Sequence, residues 1–204
     1  RNYWTGQELW TTAPISLPRD TSVGVCGPKG AAWNFTIPND IFRSVERVAR
    51  KLCITTYAVM FTAFAQLIKN ITGRNEFVVS TIGSGSQRSD PDFEHTVGYF
   101  ANLLPVKVSL RESVNFANSA QELQENLLGA LDNQDYPFQR IMEDARQEGA
   151  SKAIALASAV FSFQRPQVRP ELATFMAPVE SGLNTPICFG PLKVVPFLVP
   201  FTAN

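Results

Sequence analysis

Two short stretches hold most of the side chains that could do chemistry. The first, VGYFANLLPVKVSL over residues 97–110, sets one amide, Asn102, among hydrophobes just after Gly98, Tyr99 and Phe100. The second, NQDYPFQRIMED over residues 133–144, brings Gln134, Asp135, Tyr136, Pro137 and Phe138 together. An amide between apolar runs must find hydrogen-bond partners or cost of order 1–3 kcal/mol. Asn102 therefore reads first as a structural hydrogen-bonding hinge and second as a group offered to a ligand. A Gly ahead of two aromatics marks close backbone approach. Pro137 suits the first turn of a helix, which leaves Gln134 and Asp135 in a joint where they can satisfy orphan helix-end groups. That capping role is favoured over direct substrate contact.

Other chemistries find little support. The run GSGSQR, residues 83–88, is small and polar, but it lacks the third Gly of a dinucleotide fingerprint and the Gly-Lys-Ser/Thr of a phosphate loop. It is not a G-x-S-x-G elbow either, and the single histidine, His95, makes a poor triad with scattered serines. Cys26, Cys53 and Cys188 are odd in number, far apart and outside any CxxC or Cys/His cluster. They read as reduced thiols in a cytoplasm rather than a disulfide framework or a zinc site, and no metal is expected.

The chain has 204 residues, 45% of them hydrophobic, with 18 basic and 18 acidic side chains. One sizeable core and one domain or lobe follow from the length. Balanced charge removes a general electrostatic case for nucleic acid or an anionic membrane. No run reaches ~18 consecutive apolar residues, and the start, RNYWTGQELW, has no signal-peptide pattern.

The elements that must position the two stretches can be read in order. Residues 1–30 hold Trp4, Trp10, Pro14, Pro18 and four glycines without periodicity, as in a linker or an irregular wrap. Residues 31–38, AAWNFTIP, alternate as a strand. Residues 39–53 are an amphipathic helix, capped by Asn39 or Asp40, with Ile41, Phe42, Val45, Val48, Ala49 and Leu52 inward; Arg43, Glu46, Arg47 and Arg50 form a solvated face rather than a binding patch. Residues 55–71 are a buried helix that Thr55 caps and Gly73 ends, its Tyr57, Phe61 and Phe64 in the core. EFVVSTI, residues 76–82, is an interior strand. Pro105 leads into a half-buried strand over 106–110. A third helix covers 115–131, with Phe116, Ala120, Leu123, Leu127 and Leu131 on one stripe, and a fourth runs from Pro137 to Ala145. Residues 159–164 read as a strand, 165–191 with five prolines as a long loop, and 192–199 as an edge strand interrupted by Pro196. The order implies an α/β layer with helices packed on a mixed sheet.

VGYFANLLPVKV resembles the [IV]-G-x-F-V-N-T-x-x-x-R motif of nonribosomal peptide synthetase condensation domains, and NQDYPFQ resembles that family's H/N-Q-D-x-P-F-E motif. Tyr3–Trp4 resembles the segment after the family's Y-x-D-F-A-x-W motif, and Arg88 falls where an Arg is expected after G-x-x-x-x-x. Arg88 reads equally as a loop-fixing guanidinium or as a residue at a tunnel edge. The family's H-H-x-x-x-D-G, whose second His is associated with catalysis, is not in these residues; His95 stands in EHTVG. Residues 147–156, QEGASKAIAL, depart from R-D-x-S-R-N-P-L, with only Ser151 and Lys152 in common, and no D-F-G-W-G-like segment is present.

What the resemblance implies is a chloramphenicol-acetyltransferase-like lobe: residues 1–30 as an inter-lobe linker or wrap, and residues 31–204 as an incomplete C-terminal lobe. Such a lobe forms one wall of a tunnel in which an amide is made between a carrier-bound acyl or peptidyl donor and an aminoacyl acceptor. Asn102, Tyr99, Phe100, Gly98 and Arg88 are then tunnel or site-supporting residues, Gln134 to Phe138 a structural motif, and no residue here is catalytic. The implied partners are the N-terminal lobe, donor and acceptor carrier proteins with their phosphopantetheine arms, and a neighbouring adenylation domain. Two other classes stay open: a carrier-binding module without chemistry, and part of a coenzyme A-dependent acyltransferase. A last expectation is that Trp4, Trp10, Phe175, Met176 and Phe189 leave apolar surface exposed, so that the isolated chain self-associates.

Overall fold

The computed structural model describes residues 1–12, 15, 17, 35, 37–83, 91–93, 96, 98–147, 156, 158–163 and 194–197. Helix α1 spans Asn2–Gly6 and is followed by a 3-10 turn at Leu9–Thr11. Then come α2 (Asn39–Leu52), α3 (Thr56–Thr72), β1 (Glu76–Gly83), β2 (Asn102–Ser109), α4 (Phe116–Asp132), α5 (Phe138–Gln147), β3 (Val160–Phe163) and β4 (Val194–Phe197). The sheet order is β2-β1-β3-β4, with β1 antiparallel to β2, parallel to β3, and β3 antiparallel to β4. This is the mixed sheet with helices packed on it that the element order implies.

Local chemistry explains most helix ends. Thr55 Oγ1 accepts from Ala58 N at 3.1 Å and Asn115 Oδ1 accepts from Asn118 N at 2.9 Å, so both caps close an orphan donor of their own first turn. Gly73 ends α3 at φ 69°, a left-handed conformation that glycine adopts without a Cβ clash. Helix α2 departs from the expected cap: Pro38 occupies that position without a side-chain bond, and Asn39 and Asp40 lie inside the first turn. There the Asp40 carboxylate still faces the positive end of the helix dipole.

Register decides which face of the sheet meets the helices. Phe77, Val79, Thr81 and Gly83 of β1 stand opposite Val108, Val106, Leu104 and Asn102 of β2, and side chains directly opposite share a face. The Tyr57 hydroxyl of α3 pairs with Thr81 Oγ1, which makes this the helix side. Tyr57, Phe61 and Phe64 all make ring contacts with Phe161 of β3. The opposite face of β1 is covered at its middle, where Val78 and Ser80 are buried, and open at Ile82, which is exposed. Pro105 lies within β2 rather than ahead of it; β2 is an edge of this sheet, where a missing N–H costs no ladder bond on the outer side. Pro196 sits in β4 at the other edge.

Several expectations are corrected. Trp4 is not exposed: it is 1% accessible and, with Leu9, belongs to the main core. A lone Trp in an aperiodic segment carries no pattern that tells docking from exposure. Conversely, Ile41, Val48, Phe116 and Leu131 fall on apolar stripes yet are exposed, because they lie near helix ends or at stripe edges beyond the sheet's reach. Helix α3 is buried on one side only, with Leu67 and Ile71 in solvent. Phe35, Ile37 and Pro38 are in no strand; the rest of the strand expected over 31–38 lies outside the described residues, as do Arg88, His95, Cys26, Cys188, Phe175, Met176 and Phe189. No single helix among the described residues is long and apolar enough to cross a membrane.

Candidate functional site

Strand β2 begins at Asn102, opposite Gly83, the last residue of β1, and on the helix-facing side. Helix α4 ends at Asp132, and α5 starts at Phe138, so the backbone between them turns beneath the start of β2. The Asn102 side chain closes that gap. Its Nδ2 donates to the carbonyls of Gln134 at 2.7 Å and Tyr136 at 2.9 Å, and its Oδ1 accepts from Phe138 N at 3.0 Å. Phe138 N is a first-turn donor of α5 with no helical acceptor available, and Pro137 before it has no N–H to offer. A residue from a distant strand thus caps α5, a role the sequence assigns to the adjacent Gln134 and Asp135.

Both N–H groups of the Asn102 amide are consumed by this arrangement. Asn102 therefore acts on its surroundings by holding the joint at 133–137 in place, which is the hinge role. The Gln134 side chain reaches the opposite strand. A Cβ added to Gly83 would lie 2.9 Å from Gln134 Oε1 and 2.8 Å from Leu104 Cδ1, so a larger residue there requires these side-chain ends to give way. The start of the small-residue loop at 83, the amide at 102 and the joint at 134 meet at one point.

The joint is held from its other side as well. Trp4 Nε1 donates to the Asn133 carbonyl at 3.2 Å, and Tyr3 packs so closely on α4 that a Cβ at Gly129 would come within 2.8 Å of its hydroxyl. The Tyr136 hydroxyl donates to Asp144 Oδ2 at 2.7 Å, and Asp144 Oδ1 lies 3.1 Å from an Arg1 guanidinium nitrogen. The hydrogen bond to Asp144 pushes the Tyr136 hydroxyl above its usual range, with desolvation and the carboxylate charge acting in the same direction. Burial likewise raises the Tyr3 hydroxyl, and the Asp132 charge adds to it. The sequence alone reads Trp4 as exposed surface and assigns neither Gly83 nor Asp144 to the site; only the small-residue loop starting at 83 carries a signal.

The remaining named residues are distributed differently. Gln134, Tyr136 and Phe138 join Asn102, whereas Pro137 and Asp135 are exposed on the joint. Phe100 is half-buried and meets the Phe93 ring at 6.3 Å. A Cβ at Gly98 would lie 3.3 Å from the Phe100 ring, a tight contact that a small shift of the ring relieves. Tyr99 is 92% exposed. No group of three or more His, Cys, Asp or Glu among the described residues could hold a metal.

The family described as "Condensation domain" matches residues 1–186. Phosphinothricin tripeptide synthetase PhsC of Streptomyces viridochromogenes is 25% identical over 185 residues, covering 90% of this chain and 17% of that protein. Tyrocidine synthase 3 of Brevibacillus parabrevis is 32% identical over 109 residues, 53% of this chain and 2% of the relative. The chain thus spans a small part of the length of these relatives. Among solved structures, the four-domain nonribosomal peptide synthetase AB3403, bound to AMP and glycine, superposes with a TM-score of 0.71 at 19% identity, over 96% of this chain and 14% of that one. SgcC5 from Streptomyces globisporus gives 0.58 at 25% identity, over 72% of this chain and 32% of that one. These solved structures share its fold, and the family match extends over most of its length. The chain belongs to the condensation-domain family.

Proposed function

We propose that this chain is the C-terminal lobe of a condensation domain in a nonribosomal peptide synthetase working in the cytoplasm. It forms one wall of the tunnel in which an amide bond is made. The acceptor amine of one carrier-bound aminoacyl group attacks the thioester carbonyl of a carrier-bound donor; the C–N bond forms, the C–S bond breaks, and the amine's surplus proton balances the departing thiolate. Phosphopantetheine arms of the two carrier proteins deliver both substrates, and this chain binds no cofactor of its own. The N-terminal lobe and a neighbouring adenylation domain complete the set of partners. General-base or electrostatic duties fall to an H-H-x-x-x-D-G motif, which is absent from these 204 residues.

The observation that carries this reading is the meeting of the two family-like motifs at one clasp, Asn102 on the Gln134 and Tyr136 carbonyls and Phe138 N. Gly98, Tyr99 and Phe100 belong to the tunnel side of the same strand end in this proposal, and Arg88 is assigned to the tunnel by the resemblance alone. The exposed ring of Tyr99 is the group best placed to meet a substrate or the facing lobe. In the isolated state, the chain self-associates through surface that the rest of its parent would cover, which sedimentation across a concentration series would detect.

The test uses donor and acceptor carrier proteins loaded with their aminoacyl groups. The intact parent domain is expected to release amide product and the 204-residue chain alone none above background. Product from the chain alone, or none from the intact parent, would overturn the assignment.

A further inference from the structure

The joint between α4 and α5 is gripped from two sides by residues far apart in sequence. On one side stands Asn102 of β2, bonded to the Gln134 and Tyr136 carbonyls. On the other stands Trp4 of α1, which is 129 positions from its acceptor, the Asn133 carbonyl, and is buried to 1% exposure. Between them the Tyr136 hydroxyl is tied to Asp144, a carboxylate buried to 9% exposure that also takes the Arg1 guanidinium. Consecutive carbonyls, those of Asn133 and Gln134, are thus fixed by different elements. A short backbone segment pinned at neighbouring points has few conformations left, so a shift at one pin must be absorbed at the other.

We propose that helix α1 is a positioning element of the Asn102 site, with Trp4 and the Tyr136–Asp144 pair as positioning residues that set where the joint presents its carbonyls to Asn102. The inference rests on the functional reading above for its effect on turnover, but not for the coupling itself. Helix α1 holds the joint; the joint orients the Asn102 amide; the amide fixes the end of β2 from which Gly98 to Phe100 extend. Release of α1 loosens this chain of contacts without removing any group from the strand end.

The substitution Trp4→Phe keeps most of the buried ring and deletes the indole donor, and Tyr136→Phe deletes only the hydroxyl. Both are made in the intact parent protein, alongside Asn102→Ala and the exposed-surface control Leu67→Ala. Hydrogen exchange followed by mass spectrometry reads the peptide covering 133–141, whose Phe138 N–H is protected by Asn102. Each of the two conservative variants is expected to speed exchange there by tenfold or more, with exchange in β1 unchanged. In the condensation assay, each is expected to lower kcat several-fold with KM for the acceptor carrier unchanged. Exchange at 133–141 identical to wild type in both variants would overturn the coupling and leave Trp4 a core residue only. Faster exchange with full kcat, in a parent where Asn102→Ala is slow, would overturn the positioning role. Faster exchange with full kcat in all three variants would uphold the coupling and reject Asn102 as part of the site.

Discussion

Asn102 Nδ2 lies 2.7 Å from the Gln134 carbonyl oxygen, a bond that spans 32 positions of sequence and locks the first residue of an edge strand onto a helix–helix joint. With two further bonds from the same side chain, three backbone groups depend on one amide. Removing one partner of a half-buried hydrogen bond leaves the other unpaired, which costs more than the bond contributes net. Asn102→Ala is therefore expected to lower folding stability by about 1–3 kcal/mol and to slow condensation in the intact parent. Asn102→Asp keeps the acceptor but replaces two donors with a charge facing two carbonyls, and should be worse than Ala. Urea unfolding with a fixed m-value checks both; an unchanged midpoint in the Ala variant removes the clasp from the account.

Gly83 offers a steric test of the same point. Its added Cβ would meet Leu104, which is fully buried, and Gln134, whose side chain can swing aside. Overpacking of this kind costs typically about 1–3 kcal/mol, and Gly83→Ala should fall at the low end because one of the two neighbours is mobile. Gly83→Val should fall at the high end. Thermal melting of the pair distinguishes this from a simple gain in strand propensity, which would move the midpoint upward.

Thr55 joins two helices through one hydroxyl. It accepts from Ala58 N at the start of α3 and donates to Gln124 Oε1 of α4 at 2.7 Å, while Thr55 N reaches the same oxygen at 3.1 Å. Thr55→Ala is expected to cost about 1–2 kcal/mol, the upper part of the range for a lost N-cap, because the hydroxyl's bond to Gln124 of α4 goes with it and only the backbone one remains. Thr55→Ser should recover most of the loss, and equal destabilisation by Ser and Ala would show that the methyl group, not the hydroxyl, matters.

Tyr57 predicts a pH dependence with a definite sign. Burial pushes its hydroxyl up from 10.0 to about 12, offset in part by the hydrogen bond with Thr81. In the unfolded chain, the phenol ionises near 10, so above that pH the unfolded state holds fewer protons and stability falls as pH rises. The contribution is fully present below pH 10 and is lost as pH climbs through about 12. A gap of that size corresponds to roughly 2–3 kcal/mol. Urea midpoints measured from pH 9 to 12 should fall more steeply for the wild type than for Tyr57→Phe; parallel curves would mean that the hydroxyl titrates freely.

How much of this was legible beforehand follows from the range of each interaction. The cap at Thr55 and the glycine stop at Gly73 act within their own turns, so residue type and spacing determined them without knowledge of the rest of the chain; Asn115, read as the first residue of its helix, is its N-cap. The interior strand over 76–82 was equally readable from its β-branched run, although Glu76 and Ile82 are exposed rather than buried. Pro38 at the start of α2 was missed because Asn39 and Asp40 are good caps in isolation, whereas the Pro38 carbonyl accepts the first helical bond, from Phe42 N. Family membership was readable from two motifs, VGYFAN and NQDYPF.

What joins those motifs was not readable. Asn102 was marked as an amide in need of partners, but the partners lie 32 to 36 positions away, and nothing local selects Gln134, Tyr136 and Phe138 over water. That choice needs the register that sets Asn102 opposite Gly83 and the packing of α4 and α5 beneath it. Trp4 is the extreme case: the sequence determined that a large aromatic is present, while its burial against Asn133 depends on bringing together groups 129 positions apart. Long-range contacts of this kind exist only once loops are closed and layers assembled. Composition and periodicity therefore settled the order of the longer helices and of the strands from residue 39 on, though not α1 or the strand expected at 31–38, and the tertiary structure alone decided which side chains became one site.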